Sequence, residues 1–228
     1  MPTSVPTAVS PRSANLILWL VAVGFFMQTL DTTIVNTALP SMAISLGQHP
    51  LQMQSVVIAY ALTMATVIPA SGWLADRFGT RRMFSVAILL FVAGSLACAL
   101  SVRFDQLVAA RVLQGLGGAL LLPVGRLAVL RTFPRERFLR AMSFVAIPGL
   151  VGPLMGPTLG GWLVEVASWH WIFLINVPVG LVGLVLSQRY MPEGPRQRSA
   201  RFDVAGFVLL SAAMVLLSLA LDGLAGLG

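Results

Sequence analysis

The sequence predicts an all-α polytopic membrane protein, and three observations carry that prediction. Of the 228 residues, 57% are hydrophobic and only 10% are charged, against about 25% charged in soluble domains. The apolar residues gather into runs of about 20, long enough to cross a hydrocarbon layer roughly 30 Å thick. The arginines collect in every second gap between those runs. Segments of this kind must be helices, because an open strand cannot satisfy its backbone groups in lipid.

Seven spans can be marked in order. A short leader, residues 1–15, precedes the first, at 16–39; that run is too long for a cleaved signal peptide and lacks a small-residue cleavage site. The others fall at 52–73, 83–101, 107–127, 141–164, 171–188 and 204–221, with a basic loop at 189–203 and the seventh helix and chain end at 204–228. Arg12 precedes span one; Arg77, Arg81 and Arg82 separate spans two and three. Arg131, Arg135, Arg137 and Arg140 separate spans four and five, and Arg189, Arg196, Arg198 and Arg201 spans six and seven. The alternate gaps hold His49, then Arg103 with Asp105, then Glu165 and His170. By the positive-inside rule the N-terminus is cytoplasmic and the seventh span ends on the far side. Three spans, a loop and three more suggest an inverted repeat, although no clear internal identity supports it.

Topology also accounts for the net charge of +7, so nucleic acid is not an expected partner. All 15 basic residues are arginine, a composition bias. Cys98 is single and lies in an apolar run, which excludes an internal disulfide and suggests a small packing residue. Trp162, Trp169 and Trp171 read as interfacial anchors, and His170 and His49 as solvated interfacial residues.

Two charges lie within spans: Asp31 and Arg111. A carboxylate at the bilayer centre costs about 2.5–3.5 kcal/mol on insertion scales, so it needs a partner or a task. Counted at 1.5 Å per residue, Asp31 lies roughly 12 Å and Arg111 roughly 9 Å below the same face. They are expected to share one water-accessible cavity open to the outer side. Two readings stand at this point. Separation of the pair would switch Asp31 between holding and releasing a proton, since arginine cannot give one up; or the pair is static and fixes helix packing.

Around Arg111 the sequence RVLQGLGG adds Gln114 one turn on, and Gly115, Gly117 and Gly118 strip side-chain bulk so that a helix or ligand can approach. Span five carries PGLVGPLMGPTLGGWL, in which Gly152, Gly156 and Gly160 line one face beside Pro153 and Pro157. Such a stripe suits a helix that slides or rocks against another, with plain close packing as the alternative. The loop GWLADRFGTRR places Asp76 where it could cap span three or pair with Arg77, Arg81 or Arg82, and Gly79 permits the reversal. No P-loop, HExxH, Cys/His metal spacing or GxSxG occurs, so an enzyme is not expected.

Taken together, GWLADRFGTRR, RVLQGLGG, PGLVGPLMGPTLGG, LDTTIVNTALP and WHWIFLINVPVG resemble the signatures of the major facilitator superfamily over essentially the whole chain. They are most similar to its fourteen-helix drug:proton antiporter branch, and within it to a multidrug-transporter group. The resemblance implies a six-helix N-terminal bundle of the major facilitator fold at 16–188 plus a seventh, linker helix. It implies proton coupling at Asp31 with Arg111, and a substrate cavity for which Gln28, Asn36 and Gln114 are candidates. It further implies a cytoplasmic gating loop of Gly72, Asp76, Arg77, Gly79, Arg81 and Arg82, and an antiporter helix shaped by Gly152, Pro153, Gly156, Pro157, Gly160 and Gly161 that works against the opposite half.

Members of that branch are about twice as long, so the chain is expected to be the N-terminal half. It would be a fragment, a truncated product or one of two chains, and its missing C-terminal half or a second chain would be a partner. The function expected is a proton-coupled multidrug or small-molecule exporter in the inner membrane. It would take a small-molecule substrate, protons and the lipid bilayer as partners and no cofactor beyond the proton gradient. The alternatives are a non-transporting truncated product or assembly subunit, and an exporter of metabolites or organic acids on the same fold.

Overall fold

The computed structural model describes residues 11–193 and 202–225. Those residues form nine α-helices and no strand: α1 (Pro11–Leu46), α2 (Pro50–Val67), α3 (Ser71–Phe78), α4 (Thr80–Ala99), α5 (Phe104–Thr132), α6 (Arg135–Val166), α7 (Trp171–Leu174), α8 (Asn176–Tyr190) and α9 (Val204–Ala225). Six segments are long and apolar enough to cross a membrane, α2 with α3 and α7 with α8 each making one. In α9 the apolar described stretch, Val204–Leu217, is shorter than these six.

Helical hydrogen bonding continues where hydropathy falls, so the elements outrun the apolar runs that signalled them. α1 begins at Pro11, inside the stretch 1–15 expected as a leader, while 1–10 lie outside the described residues. At its other end α1 runs past Pro40 to Leu46. One lost donor does not end a helix packed against neighbours in a membrane. The second span is interrupted instead: Pro69 sits in a 3-10 turn, Ile68–Ala70, that joins α2 to α3. Arg196, Arg198 and Arg201 of the basic loop lie outside the described residues.

One other expectation is corrected at the turns, and one gains a role. His49 is exposed as expected and also caps α2, its Nδ1 accepting from the Leu51 backbone N–H at 3.3 Å. Trp169 is no interfacial anchor; only 2% of it is exposed, and its ring stacks on His170 at 3.7 Å. Trp162 and Trp171 are exposed.

The core has two tiers. One unites Ile17, Val21, Met27, Phe84, Phe91, Leu121 and Val145, toward the end where the arginine-bearing turns lie. The other unites Ile34, Met42, Met53, Val56, Leu107 and Phe173 toward the opposite end. On four helices the membership changes at one level: between Met27 and Ile34 on α1, Val56 and Tyr60 on α2, Val92 and Cys98 on α4, and Ala110 and Leu120 on α5. What lies at that level is polar.

Candidate functional site

The polar level is built from five helices. α1 supplies Asp31, α2 the Val56 carbonyl and Tyr60, α4 Ser95, α5 Arg111 and Gln114, and α8 Asn176. Arg111 Nη1 donates to Asp31 Oδ2 and to Gln114 Oε1, each at 2.6 Å, and Arg111 Nε donates to the Val56 carbonyl at 3.4 Å. Gln114 Nε2 donates to Asp31 Oδ1 and Ser95 Oγ, each at 2.8 Å, and Asn176 Nδ2 reaches Asp31 Oδ1 at 3.4 Å. The guanidinium carbon lies 4.1 Å from the centre of the Tyr60 ring and 5.8 Å from that of Phe173. Buried charges are tolerated when paired and when their remaining lone pairs and protons are satisfied. Asp31, with donors on both oxygens, meets that condition.

Glycines make the approach possible. A β-carbon at Gly94 would collide with the Gln114 backbone, and one at Gly117 would lie 2.6 Å from the Ala87 carbonyl oxygen, so α4 and α5 cross almost backbone to backbone. Gly115 and Gly118 give the same clearance to Thr63 and Tyr60 of α2. These glycines therefore admit neighbouring helices, not a ligand. The expected cavity open to one side is also corrected: Asp31 is 1% and Arg111 0% exposed. The pair is sealed between the two apolar tiers.

The three cavity candidates part company. Gln114 is fully enclosed and committed to Asp31, Arg111 and Ser95. Asn36 is exposed and donates to the Thr32 carbonyl at 3.4 Å. Gln28 is buried; its amide nitrogen meets Met64 Sδ at 3.8 Å, and its Oε1 finds no partner. Ser95, Tyr60 and Asn176 escaped the sequence reading. Asn176, an amide inside the apolar motif WHWIFLINVPVG, was the one detectable signal.

At the arginine-rich end, Asp76 neither caps span three nor pairs with the arginines of its own loop. Arg131, in the last turn of α5, donates to it at 2.6 Å and also bonds Thr80 Oγ1. Neighbours at i and i+1 on a helix do not face one another, and Arg77 turns instead over the Trp73 ring at 5.3 Å. Arg81 pairs with Glu193 at 3.0 Å, and Arg82 is exposed. Gly79 has φ 90° and ψ 143°, a region closed to side chains. Gly72 has open space around it.

Gly152, Gly156 and Gly160 of α6 face α1, meeting Thr29 and Leu30, Thr33 and Ile34, and Ile34 and Thr37 in turn; Gly149 extends the row against Phe25. Thr29 and Thr33 turn their hydroxyls back onto their own helix, bonding carbonyls three and four residues earlier. The stripe thus meets α1 of the same bundle. Pro153 and Pro157 are exposed, and Gly161 has no atom within 4 Å of its would-be β-carbon. Among the described residues no three His, Cys, Asp or Glu side chains gather as a metal site would require.

A family model described as Major Facilitator Superfamily matches residues 21–226. The chain is 60% identical over 211 residues to the putative multidrug resistance protein MdtD of Serratia proteamaculans, covering 92% of this chain and 44% of that protein. It is 61% identical over 218 residues to the MdtD protein of Klebsiella pneumoniae, covering 96% and 46%. The chain thus spans just under half the length of the curated relatives it matches. Among solved structures, a POT family transporter in complex with 5-aminolevulinic acid superposes with a TM-score of 0.70 at 16% identity, over 98% of this chain and 48% of that one. A peptide transporter POT in complex with sulfate gives 0.70 at 20% identity, over 89% and 45%. At such identities the likeness is one of fold.

Proposed function

The chain belongs to the Major Facilitator Superfamily, a family of transporters and not of enzymes, and from that premise we propose that it is half of a proton-coupled multidrug exporter. The observation that carries the reading is the Asp31–Arg111 pair, sealed at 2.6 Å between two apolar tiers. A carboxylate so placed is expensive in lipid, and among the described residues it is the one buried carboxylate. A proton arriving at Asp31 cancels the charge that holds Arg111. The guanidinium then keeps Gln114 Oε1, the Val56 carbonyl and the Tyr60 face as partners, and the helices α1 and α5 are free to adjust. Loss of the proton restores the pair. Alternating exposure of Asp31 to the two sides of the membrane, tied to the opposite exposure of a substrate, makes this an exchange of inward protons for outgoing solute.

The names of the MdtD relatives, multidrug resistance proteins, support drugs as the cargo class, and Gln28 and Asn36 are the polar groups that would meet it. The arginine-rich end is taken as cytoplasmic by the positive-inside rule, in an inner membrane. Asp76 with Arg131, Arg81 with Glu193, and the Gly79 reversal form the gate there, where a second half would bear on Arg77, Arg82 and Gly72.

The test is substrate-induced proton release from acid-loaded inverted vesicles carrying the chain alone or joined to a second half, across cationic dyes and organic acids. Release that disappears in Asp31→Asn supports the reading. Release that persists in the variant removes Asp31 as the carrier.

A further inference from the structure

Two surface hollows meet at one residue of α1. The first is a groove of about 450 Å³ between α1, α4, α5 and α8, walled by Leu16, Leu20, Met27, Phe91, Val179 and Leu186. Gly24, Gly180 and Gly183 lie among its lining residues; a β-carbon at Gly180 would strike Val92, so that glycine brings α8 close to α4. Every lining residue is apolar. Along α1 it runs from Leu16 to Met27, about 17 Å at 1.5 Å per residue, close to the roughly 15 Å of a single leaflet's hydrocarbon. The second hollow, about 470 Å³, lies at the arginine-rich end between the start of α1 and the α5–α6 turn; Asn15, Arg137 and Arg140 line it with Phe133 and Phe144. Trp19 lines both, half-exposed and held edge-on by Phe144 at 5.0 Å.

Arg81, Arg103, Arg111 and Arg131 each have a carboxylate partner. Arg137 and Arg140 have none among the described residues, and no acidic residue lines either hollow. An unpaired double positive charge at the membrane boundary, beside an apolar channel one leaflet deep, is complementary to a molecule with an anionic head and a long hydrocarbon tail.

We propose that these hollows are a binding site for one anionic phospholipid. Its phosphate lies against Arg137, Arg140 and Asn15, and one acyl chain passes Trp19 and fills the groove between α1 and α8. Basic pockets between transmembrane helices select lipid head groups through such charges. The site is separate from the Asp31 level and does not depend on what the protein transports.

The experiment places the chain in phosphatidylcholine vesicles containing either phosphatidylglycerol or phosphatidylcholine with a photoreactive group near the end of one acyl chain. Labelled peptides are then mapped by mass spectrometry. The glycerol lipid should label 16–27 and 178–186 in preference to the choline lipid. Arg137→Gln with Arg140→Gln should lower its apparent affinity about 30-fold, counting both charges. Gly183→Phe should remove label from the groove; a β-carbon there is 3.7 Å from Ile88 Cδ1, so the ring has room to occupy the channel. The two arginines are exposed, and their replacement leaves folding intact, so that variant decides the matter. Equal labelling by both lipids, a preference that survives the double variant, or a preference abolished by excess inorganic phosphate would each overturn the proposal, the last by pointing to a small-anion site.

Discussion

Gly156→Ala separates a locked α1–α6 contact from a sliding one. A β-carbon at this position would stand 2.8 Å from Thr33 Cβ and 3.2 Å from the Ile34 backbone nitrogen, with Thr33 Oγ1 nearer still. The backbone nitrogen cannot rotate away, so α6 has to back off from α1. That retreat also loosens Gly152 and Gly160, which places the cost at the upper end of the overpacking range, about 3 kcal/mol. Alanine returns about 1 kcal/mol in helix propensity. The net loss is about 2 kcal/mol, a roughly 30-fold shift in the folded-to-unfolded ratio. Gly161→Ala is the internal control: it gains the same propensity in open space and should stabilise by about 0.5–1 kcal/mol. Thermal unfolding of the detergent-purified variants, followed by size-exclusion profile, reads the difference. Equal stability of the two variants would refute the lock and return the stripe to the role of a free surface.

Removing one partner of the buried pair, as in Asp31→Asn, strands Arg111 and should cost about 3–5 kcal/mol. Adding Arg111→Gln should recover a large part of that, measurable by the same unfolding assay. Tyr60→Phe should change stability by less than about 0.5 kcal/mol, because the phenol oxygen has no hydrogen-bond partner, whereas Tyr60→Leu removes the ring beside Arg111 and should cost about 2 kcal/mol more. Gly79→Ala forces a side chain into φ 90° and should lose about 1–3 kcal/mol. A Gly79→Ala protein with parental melting would mean that the α3–α4 reversal is not held in that conformation.

The fold class was legible because span length, arginine placement and apolar runs are all local to the sequence. The pairing of Asp31 with Arg111 was legible for a different reason: two opposite charges in spans have few other choices. Depth alone could not show that the pair is sealed, since closure depends on how near α4 and α5 approach at Gly94 and Gly117. Asp76 with Arg131 was hidden by abundance, because a loop end rich in arginines offers many partners and only helix orientation selects one. The glycine stripe was recognised, but its partner was not: periodicity identifies a smooth face without saying which helix it meets. Gly149, one turn before Gly152 in the same motif, passed unnoticed for the same reason.

The polar level also sets a timetable. Asp31 precedes Arg111 by 80 residues, Gln114 by 83 and Asn176 by 145. At about 5–20 residues per second the ribosome needs roughly 4–16 s to deliver the arginine after the aspartate. During that interval α1 holds a carboxylate with no cation to meet it, at a cost of about 2.5–3.5 kcal/mol. Twelve Leu, Ile, Val and Phe side chains between residues 16 and 39, each worth about 0.3–0.6 kcal/mol, hold it in the bilayer meanwhile. Entry of the first helix is therefore decided by its own oil, and its rotational setting waits for the fifth. A nascent chain that stalls in between carries an unpaired acid in lipid.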